Sequence, residues 1–246
     1  MPHLTTVNFQ SRPYPETDVY PFNISVLKET RRIDFSVPVT FFAGGNGTGK
    51  STLLRAIGQG CGIHVWEGER RRRYKKSPFE NLFHLFLEFV WANGAVPGSY
   101  FSSDIFHFWA EALDEFALSD PGILGYFGGH SLLSQSHGQS LLSFFRSRYR
   151  RKGLYLLDEP ETALSPQSQI ELIRILVDCA RQGNTQFIIA THSPILLACP
   201  DAMIYSFDAP PIGPVAYEET EYFKVYREFF NDPGKYLEEK PRDRTP

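Results

Sequence analysis

One segment constrains this chain more than any other: Gly44-Gly45-Asn46-Gly47-Thr48-Gly49-Lys50-Ser51-Thr52. It matches G-x-x-x-x-G-K-S, the pattern of a phosphate-binding loop. The run before it, residues 37–43, is β-branched and aromatic and is typical of a buried strand. The residues after it, 51–57, place apolar side chains at helical spacing. Strand, loop and helix in this order are the context the motif requires, so we predict a nucleoside triphosphate site.

The residue types of this loop suit phosphate chemistry. Glycine lacks a Cβ, so the backbone can wrap closely around phosphate oxygens. The N–H groups then point inward, and the N-terminus of the following helix adds partial positive charge. Lys50 is expected to reach the β- and γ-phosphates, and the Ser51 hydroxyl to ligate Mg²⁺. The predicted nucleotide-binding residues are Gly45, Asn46, Gly47, Thr48, Gly49, Lys50, Ser51 and Thr52.

Composition narrows the class of protein. The 246 residues are 42% hydrophobic, enough for a substantial core, and the formal net charge of −3 excludes a chain-wide basic surface for nucleic acid. Three widely spaced cysteines favour reduced thiols over a disulfide framework. The N-terminus has no signal-peptide features, and no apolar run is long enough to span a membrane. We therefore expect a cytoplasmic protein without direct membrane insertion.

Two further predicted strands end in residues whose side chains can bind a metal ion or take part in catalysis. An apolar strand from Gly153 ends in Asp158 and Glu159, and a second one delivers His192. Carboxylates at the carboxyl end of a buried strand suit metal and water chemistry. Neighbouring residues of a regular strand point to opposite faces, but Pro160 indicates that the chain already turns there, so both acids can face one site.

Several other elements follow from local patterns. Ser77, Pro78 and Glu80 predict a capped helix that runs to about Trp91. A second helix is expected to open at Ser103 and Asp104. The predicted strands are 23–27, 32–35, 100–102, 203–207 and 215–217, and a C-terminal amphipathic helix carries Tyr222, Tyr226 and Phe229. Tyr14, Tyr20 and Phe22 are either adenine-stacking residues or ordinary core aromatics.

Two segments leave their role open. Residues 70–76 are rich in arginine and lysine, which fits either a phosphate or nucleic-acid contact or a solvated loop. Residues 132–140 form a turn of small residues before a predicted helix over 141–150, and such a turn is a second candidate anion site.

The ordered set of phosphate loop, small-residue turn, Asp-Glu strand and His strand resembles the ATP-binding-cassette ATPases, specifically the stand-alone branch that includes RecF, SMC-type and OLD-type ATPases. The resemblance covers about residue 20 to the C-terminal helix. It implies that Asp158 holds Mg²⁺, that Glu159 is the general base and that His192 contacts the γ-phosphate. Lys50 completes this catalytic set.

The resemblance also implies that a second copy of the chain contributes residues to each ATP site. The family signature, usually Leu-Ser-Gly-Gly-Gln, corresponds here to Gln135-Ser136-His137-Gly138-Gln139, so that two of its positions differ. Ser136 and Gly138 would close on the γ-phosphate of a second copy, and Ala163 and Leu164 would line the interface. Asp104 stands where the family has a metal-sensing glutamine, which makes it a candidate Mg²⁺ residue.

The predicted fold is therefore α/β, a P-loop NTPase of the ABC-ATPase type with a mostly parallel sheet, an N-terminal antiparallel sheet and a helical lid. We expect one domain over 1–246, with a core of about 1–61 and 151–217, a lid of about 62–150, and a C-terminal helix and tail over 218–246. The predicted function is Mg²⁺-dependent ATP hydrolysis that closes and opens a head-to-tail homodimer. The alternatives are a slow, ATP-gated module that docks a protein or nucleic-acid partner and, third, the nucleotide-binding subunit of a transporter.

Overall fold

The structure is a computed structural model that describes residues 1–65, 77–127 and 137–237, without the side chains of 104–110, 121, 126, 127 and 137. Its centre is a six-stranded sheet in the order β5-β6-β7-β3-β8-β9. The first five of these strands are parallel, and the last pairing, between β8 and β9, is antiparallel. The strands are β3 (Val39–Ala43), β5 (Gly98–Ser102), β6 (Gly153–Asp158), β7 (Thr185–Thr191), β8 (Met203–Ser206) and β9 (Gly213–Pro214).

The central strands are buried on both faces. Every residue of β3, β6 and β7 is buried, which matches their nearly continuous apolar sequences. Successive residues alternate between two apolar clusters: Phe41 and Leu157 belong to one, Phe42 and Leu156 to the other. The sheet is therefore the middle layer of the fold, with apolar side chains covering it from both sides.

Helices form the two covering layers. Side chains of α4 (His137–Arg148), α5 (Pro166–Arg181) and α6 (Pro194–Leu197) belong to the first cluster, together with Leu113 of α3 (Ser103–Ser119). Those of α1 (Ser25–Glu29) and α2 (Lys50–Gly60) belong to the second. Two short helices, α7 (Glu221–Asn231) and α8 (Gly234–Leu237), complete the described chain. Within the described residues, no helix combines the length and apolar character that crossing a bilayer requires.

A smaller antiparallel sheet lies beside α2. Its order is β2-β1-β4, from β1 (Leu4–Phe9), β2 (Arg32–Asp34) and β4 (Leu87–Trp91). Gln186, a fully buried residue of β7, joins this sheet to the central one. Its Oε1 accepts from the N–H groups of His3 and Leu4, both at 2.8 Å, and its Nε2 donates to the Leu4 carbonyl oxygen at 2.8 Å. The predicted fold class, with a mostly parallel sheet and an N-terminal antiparallel sheet, is confirmed.

Two predictions from local patterns are wrong. The predicted strand over 23–27 is replaced by the helix α1, because Val26 and Leu27 bury themselves against α2 and the phosphate loop rather than in a sheet. The predicted helix from Ser77 to Trp91 is instead a turn, a 3-10 helix over Phe83–Phe86 and the strand β4. Residues 87–91 alternate between more and less exposed positions and pair with β1, so a long-range contact overrides the local helix signal.

The segment predicted to form a helical lid also contains two strands. Residues 62–150 were expected to be helical, but β4 belongs to the antiparallel sheet and β5 to the central one. The predicted strand over 215–217 is also displaced: β9 comprises Gly213–Pro214, and a 3-10 helix covers Tyr217–Glu219. The predicted strands at 32–35, 100–102 and 203–207 and the helix that begins at Ser103 are present within a few residues of the expected bounds.

Candidate functional site

Three loops leave the same edge of the central sheet. In the strand register, Ala43 lies beside Thr191, and Ala190 beside Asp158. The phosphate loop, His192 and Glu159 each follow directly on these residues. Because β7 lies between β3 and β6, the histidine loop lies between the phosphate loop and the paired acids. The sheet thus collects at one edge residues that are more than 100 positions apart in the sequence.

The phosphate loop is a compact turn that opens α2. Gly49 precedes the helix with φ of 103°, in the region that favours glycine, and a Cβ there would lie 3.1 Å from Ile24. The Lys50 ammonium is almost fully buried and donates to the carbonyl oxygens of Gly44 at 2.6 Å and Gly45 at 2.8 Å. Burial lowers the pKa of Lys50, while the charges of Glu159 and Asp158 oppose that shift. A cation in this position is suited to anionic oxygens.

Asp158 is a buried carboxylate held by two hydroxyls. Ser51 Oγ donates to its Oδ1 at 2.7 Å, and the Tyr100 hydroxyl donates to its Oδ2 at 2.7 Å. Arg55 Nε in turn donates to the Tyr100 hydroxyl oxygen at 3.3 Å. Burial raises the pKa of Asp158, and the two hydroxyl hydrogen bonds counter that rise. The side chain is therefore fixed with one oxygen beside the serine of the phosphate loop.

Glu159 faces the same site because the backbone turns at this residue. Its φ of 48° and ψ of 54° place it in the left-handed region, where a residue other than glycine is strained. Its N–H donates to the Ala190 carbonyl oxygen at 2.9 Å, and its own carbonyl oxygen accepts from Ser103 Oγ at 2.6 Å. The turn inferred from Pro160 is thus present, and both acids line one cavity.

His192 is hydrogen-bonded on three sides. Its Nε2 lies 3.0 Å from Glu159 Oε1, and its Nδ1 is hydrogen-bonded to the Tyr222 hydroxyl. Its backbone N–H donates to Glu161 Oε1 at 2.6 Å. Burial lowers the pKa of His192, the nearby Lys50 charge lowers it further, and Glu159 acts in the opposite direction. The imidazole therefore tends to be neutral and stands next to the carboxylate of Glu159.

Ser51, Asp158 and Glu159 lie on the wall of a polar cavity of about 220 Å³. It is lined by Tyr20, Ser51, Thr52, Arg55, Glu80, Ser102, Ser103, Asp158, Glu159 and Thr162. Ser51 Oγ and Asp158 Oδ1 are oxygen ligands of the kind Mg²⁺ prefers, and Mg²⁺ usually takes one or two protein ligands together with water and phosphate oxygens. The pair therefore fits a magnesium ion. Within the described residues, no group of three or more His, Cys, Asp or Glu side chains could hold a metal ion by itself.

The three aromatic residues considered for adenine stacking have different surroundings in the structure. Phe22 is fully buried and packs against Tyr14 with ring centroids 4.7 Å apart, so these two belong to the core. Tyr20 lines the cavity, and its hydroxyl is hydrogen-bonded to Thr52 Oγ1 at 2.8 Å. Of the three aromatic residues, Tyr20 is therefore the one placed to meet a bound nucleotide.

Two residues of the predicted signature, Gly138 and Gln139, are described, and they lie away from the cavity. Gly138 and Gln139 are in the first turn of α4, and a Cβ on Gly138 would lie 3.4 Å from Ser168 Oγ and 3.6 Å from the Ala163 carbonyl oxygen. Neither residue is among those that line the cavity. Ser136 and residues 70–76 lie outside the described residues, as do the side chains of His137 and Asp104. Asp104 itself is the second residue of α3, directly after the cavity-lining Ser102 and Ser103.

Two site residues were missed in the sequence. Tyr100 belongs to a strand that was predicted, but nothing in its local pattern indicates a contact with Asp158. Tyr222 was assigned only to an amphipathic helix, yet it contacts His192 and lies 3.0 Å from the Gly44 carbonyl oxygen. The distance along the chain, 178 residues between Gly44 and Tyr222, explains why no local signal exists.

Comparison with known proteins gives two family matches. The description "AAA domain" matches residues 22–85, which include the phosphate loop, and the description "AAA ATPase domain" matches residues 135–197, which include Asp158, Glu159 and His192. By these matches the chain is an ATPase. No curated protein matches the sequence.

Solved structures support the fold of this ATPase. The protein cbiO1 from Clostridium perfringens, part of the ABC transporter complex cbiONQ, is 17% identical with a TM-score of 0.52; the match covers 94% of this chain and 97% of that one. An SMC head bound to the C-winged helix domain of ScpA is 14% identical with a TM-score of 0.52, over 89% of this chain and 99% of that one. At these identities the likeness concerns the fold alone.

Proposed function

We propose that this ATPase hydrolyses ATP with Mg²⁺ and couples hydrolysis to closing and opening a head-to-tail homodimer. The observation that carries the proposal is the contact between His192 Nε2 and Glu159 Oε1, 3.0 Å apart, beside the pair formed by Ser51 and Asp158. A base, a histidine and a metal-binding pair at the mouth of a phosphate loop are the groups that phosphoryl transfer to water requires.

Each residue has a role in this chemistry. Glu159 accepts a proton from a water molecule, whose oxygen attacks the γ-phosphorus while the bond from that phosphorus to the bridging oxygen breaks. The products are ADP and inorganic phosphate. Lys50 and the loop N–H groups balance the negative charge of the phosphates, and His192 can donate from Nε2 to the terminal phosphate. Ser51 and Asp158 would hold Mg²⁺, which would supply charge stabilisation at the phosphate oxygens.

The position of Gly138 supports the proposal of a homodimer. Gly138 lies against Ala163 and Ser168 rather than in the cavity, so its own chain does not present it to the nucleotide. We propose that a second copy supplies Ser136, His137, Gly138 and Gln139 to each site, with Ala163 and Leu164 at the interface. Two-fold symmetry then forms two equivalent sites. Asp104 remains a candidate for the metal-sensing role.

Replacing the base tests the chemistry. Glu159→Gln should bind ATP with nearly unchanged affinity and lose turnover by about 100-fold or more, the usual contribution of a general base. Glu218→Gln removes an exposed carboxylate away from the cavity and serves as the control. Turnover is measured as released phosphate, and affinity by fluorescent-nucleotide titration. Undiminished hydrolysis by Glu159→Gln would contradict the role of Glu159.

Mixing two inactive variants tests the dimer. Lys50→Ala disables the phosphate loop, and Gly138→Asp disables the signature; a Cβ at Gly138 meets only ordinary contacts, so the variant should fold. In a head-to-tail dimer, a mixed pair has one site with an intact loop and an intact signature. The mixture should therefore regain part of the wild-type turnover, while each variant alone stays inactive. A mixture that remains inactive would overturn the dimer but not the ATPase.

A second candidate function is ATP-gated docking of a protein partner. An apolar groove of about 840 Å³ lies beside His192 and is lined on one side by Phe223, Tyr226 and Phe230 of α7. Phe230 is 72% exposed. If a partner binds here, capture should require ATP and disappear in Phe230→Ser, while turnover of the isolated protein stays unchanged. Rapid ATP turnover without a partner, together with equal capture of the partner in the presence and absence of ATP, would argue against this candidate.

A further inference from the structure

Tyr222 occupies a rigid position at the start of α7. It is the second residue of the helix after the N-cap Thr220, whose Oγ1 accepts from the Phe223 N–H at 3.3 Å. Thr220 is itself buried and donates to the Tyr217 carbonyl oxygen at 2.7 Å. Tyr217 and Tyr222 both pack against the cluster that covers the central sheet. The phenol of Tyr222 is therefore held by the fold of the chain segment that carries it.

This phenol reaches the catalytic residues. Its hydroxyl is hydrogen-bonded to His192 Nδ1 and lies 3.0 Å from the Gly44 carbonyl oxygen. The two rings meet edge to face, with centroids 5.5 Å apart and planes at 86°. The opposite nitrogen of the imidazole, Nε2, lies 3.0 Å from Glu159 Oε1. A chain of contacts thus runs from the phosphate loop through Tyr222 and His192 to Glu159.

Counting protons decides the direction of these contacts. A neutral imidazole carries one N–H, and a phenol carries one O–H. Burial raises the pKa of Tyr222 to about 12, so the phenol keeps its proton at neutral pH, and the lowered pKa of His192 favours the neutral ring. Two protons must therefore serve three contacts: one with the Gly44 carbonyl, one between the rings, and one between Nε2 and Glu159.

Two arrangements are available. If the phenol donates to Gly44, the imidazole proton must be on Nδ1, and the Nε2 lone pair then faces the Glu159 carboxylate. If the phenol donates to Nδ1, the imidazole proton is on Nε2 and points to Glu159. The second arrangement gives up the phenol's hydrogen bond to Gly44 and leaves the two oxygens 3.0 Å apart without a proton between them. It is the less costly of the two, because a lone pair facing a carboxylate is repelled more strongly than one facing a neutral carbonyl, and because the Gly44 carbonyl oxygen also accepts from Lys50 Nζ at 2.6 Å.

We infer that the Tyr222 hydroxyl donates to His192 Nδ1 and keeps the imidazole proton on Nε2, which makes Tyr222 a positioning residue for hydrolysis. The inference rests on the proposed role of His192. It assigns to α7, a helix outside the central sheet, the task of orienting the one histidine N–H that faces Glu159 and the incoming terminal phosphate.

The first test reads the protonation of the ring directly. Protein labelled with ¹⁵N at histidine is studied without nucleotide, and the His192 signals are assigned by comparison with His192→Gln. The wild type should show a protonated Nε2 and an unprotonated Nδ1 that accepts a hydrogen bond. In Tyr222→Phe the Nδ1 signal should move to the position of a nitrogen without such a bond. A protonated Nδ1 in the wild type, or an Nδ1 signal that does not move in Tyr222→Phe, would overturn the inference.

The second test uses turnover. Tyr222→Phe keeps the ring and removes the hydroxyl, so kcat should fall about tenfold, the scale of one lost hydrogen bond to an ionisable group, with KM for ATP little changed. Tyr236→Phe removes a phenol hydroxyl that donates to Glu228 at 3.0 Å, away from the site; it is the matched control and should keep wild-type turnover. In a His192→Ala background, Tyr222→Phe should have no further effect, because the phenol acts through the missing imidazole. An equal loss in both backgrounds would indicate a structural role and overturn the inference.

The experiments distinguish a failure of the Tyr222 inference from a failure of the proposed function. If His192→Ala loses activity and Tyr222→Phe does not, the positioning role is wrong while the proposed function stands. If both His192→Ala and Glu159→Gln turn over ATP normally, the proposed function is wrong, and the ¹⁵N spectrum still reports whether the phenol donates to Nδ1.

Discussion

Asp158 illustrates how single residues set the chemistry of this protein. A carboxylate buried at the end of a strand is costly unless hydrogen bonds stabilise its charged form. Ser51 and Tyr100 supply those hydrogen bonds from two different elements, one to each oxygen. The same two contacts fix the orientation of the carboxylate, so the residue that is proposed to hold Mg²⁺ is positioned before any ion binds.

Tyr100→Phe should weaken magnesium binding. Without the hydroxyl, Asp158 Oδ2 loses its donor and the carboxylate can rotate, so the Mg²⁺ concentration for half-maximal turnover should rise about tenfold, at the lower end of effects for residues that orient metal ligands. Turnover is measured across a magnesium titration at saturating ATP. Tyr205→Phe is the control, because its hydroxyl donates to the Asp34 carbonyl oxygen and not to a site residue. An unchanged magnesium dependence in Tyr100→Phe would refute the orienting role.

At the scale of elements, backbone contacts between strands place the site. β5 brings Tyr100 to Asp158 and Ser102 to the cavity because it pairs with β6 along its whole length. This pairing leaves no room for a side chain at Gly98, where a Cβ would lie 2.3 Å from the Leu154 carbonyl oxygen and 2.4 Å from Ile63. β1 is attached to the central sheet in another way, through the side chain of Gln186.

Gly98→Ala should disrupt the pairing between β5, the first strand of the central sheet, and β6. The added methyl collides with backbone, which cannot rotate away, so β5 and β6 must separate, and the free energy of unfolding should fall by about 3 kcal/mol. Gly213→Ala is the matched substitution, since a Cβ there meets its nearest atom at 3.9 Å. Urea unfolding followed by circular dichroism measures both. Equal stability of Gly98→Ala and wild type would show that β5 can move without cost.

Gln186→Leu should detach β1. The substitution leaves two backbone N–H groups and one carbonyl oxygen without their partner, and the free energy of unfolding should fall by about 3 kcal/mol. Gln182→Ala, at an exposed helix end, should change it by less than about 0.5 kcal/mol. The comparison uses the same urea titration. A loss similar to that of Gln182→Ala would mean that other contacts hold the two sheets together.

At the scale of the whole molecule, both faces of the central sheet are covered, and the cysteines lie within these layers. Cys179 and Cys199 belong to one cluster, and Cys61 packs against the other. All three are free thiols. Burial raises the pKa of Cys61 and of Cys199 to about 12 and also raises the pKa of Cys179. The thiols are thus structural groups whose reactivity reports on the integrity of the layers.

The native protein should react slowly with a thiol reagent. At pH 8 a thiol of pKa about 12 is ionised in about 1 molecule in 10,000, and the thiolate is the reactive form. With dithionitrobenzoate, the folded protein should show almost no rapid reaction, and the unfolded protein in guanidinium should show three thiols. A rapid reaction of one equivalent in the native state would show that a cysteine is accessible or that its pKa is not raised.

The sequence by itself determined the phosphate loop, the paired acids at 158 and 159, the histidine at 192 and the α/β class, because each depends on a local pattern of residue types on a strand or at its end. It also indicated the turn at Glu159 through Pro160. Only the tertiary structure decided that residues 23–27 form a helix and 87–91 a strand, since burial against α2 and pairing with β1 outweigh local preference. It likewise decided that Tyr100 and Tyr222 reach the site, because a hydrogen bond between residues far apart in the chain leaves no periodic or compositional trace in the sequence.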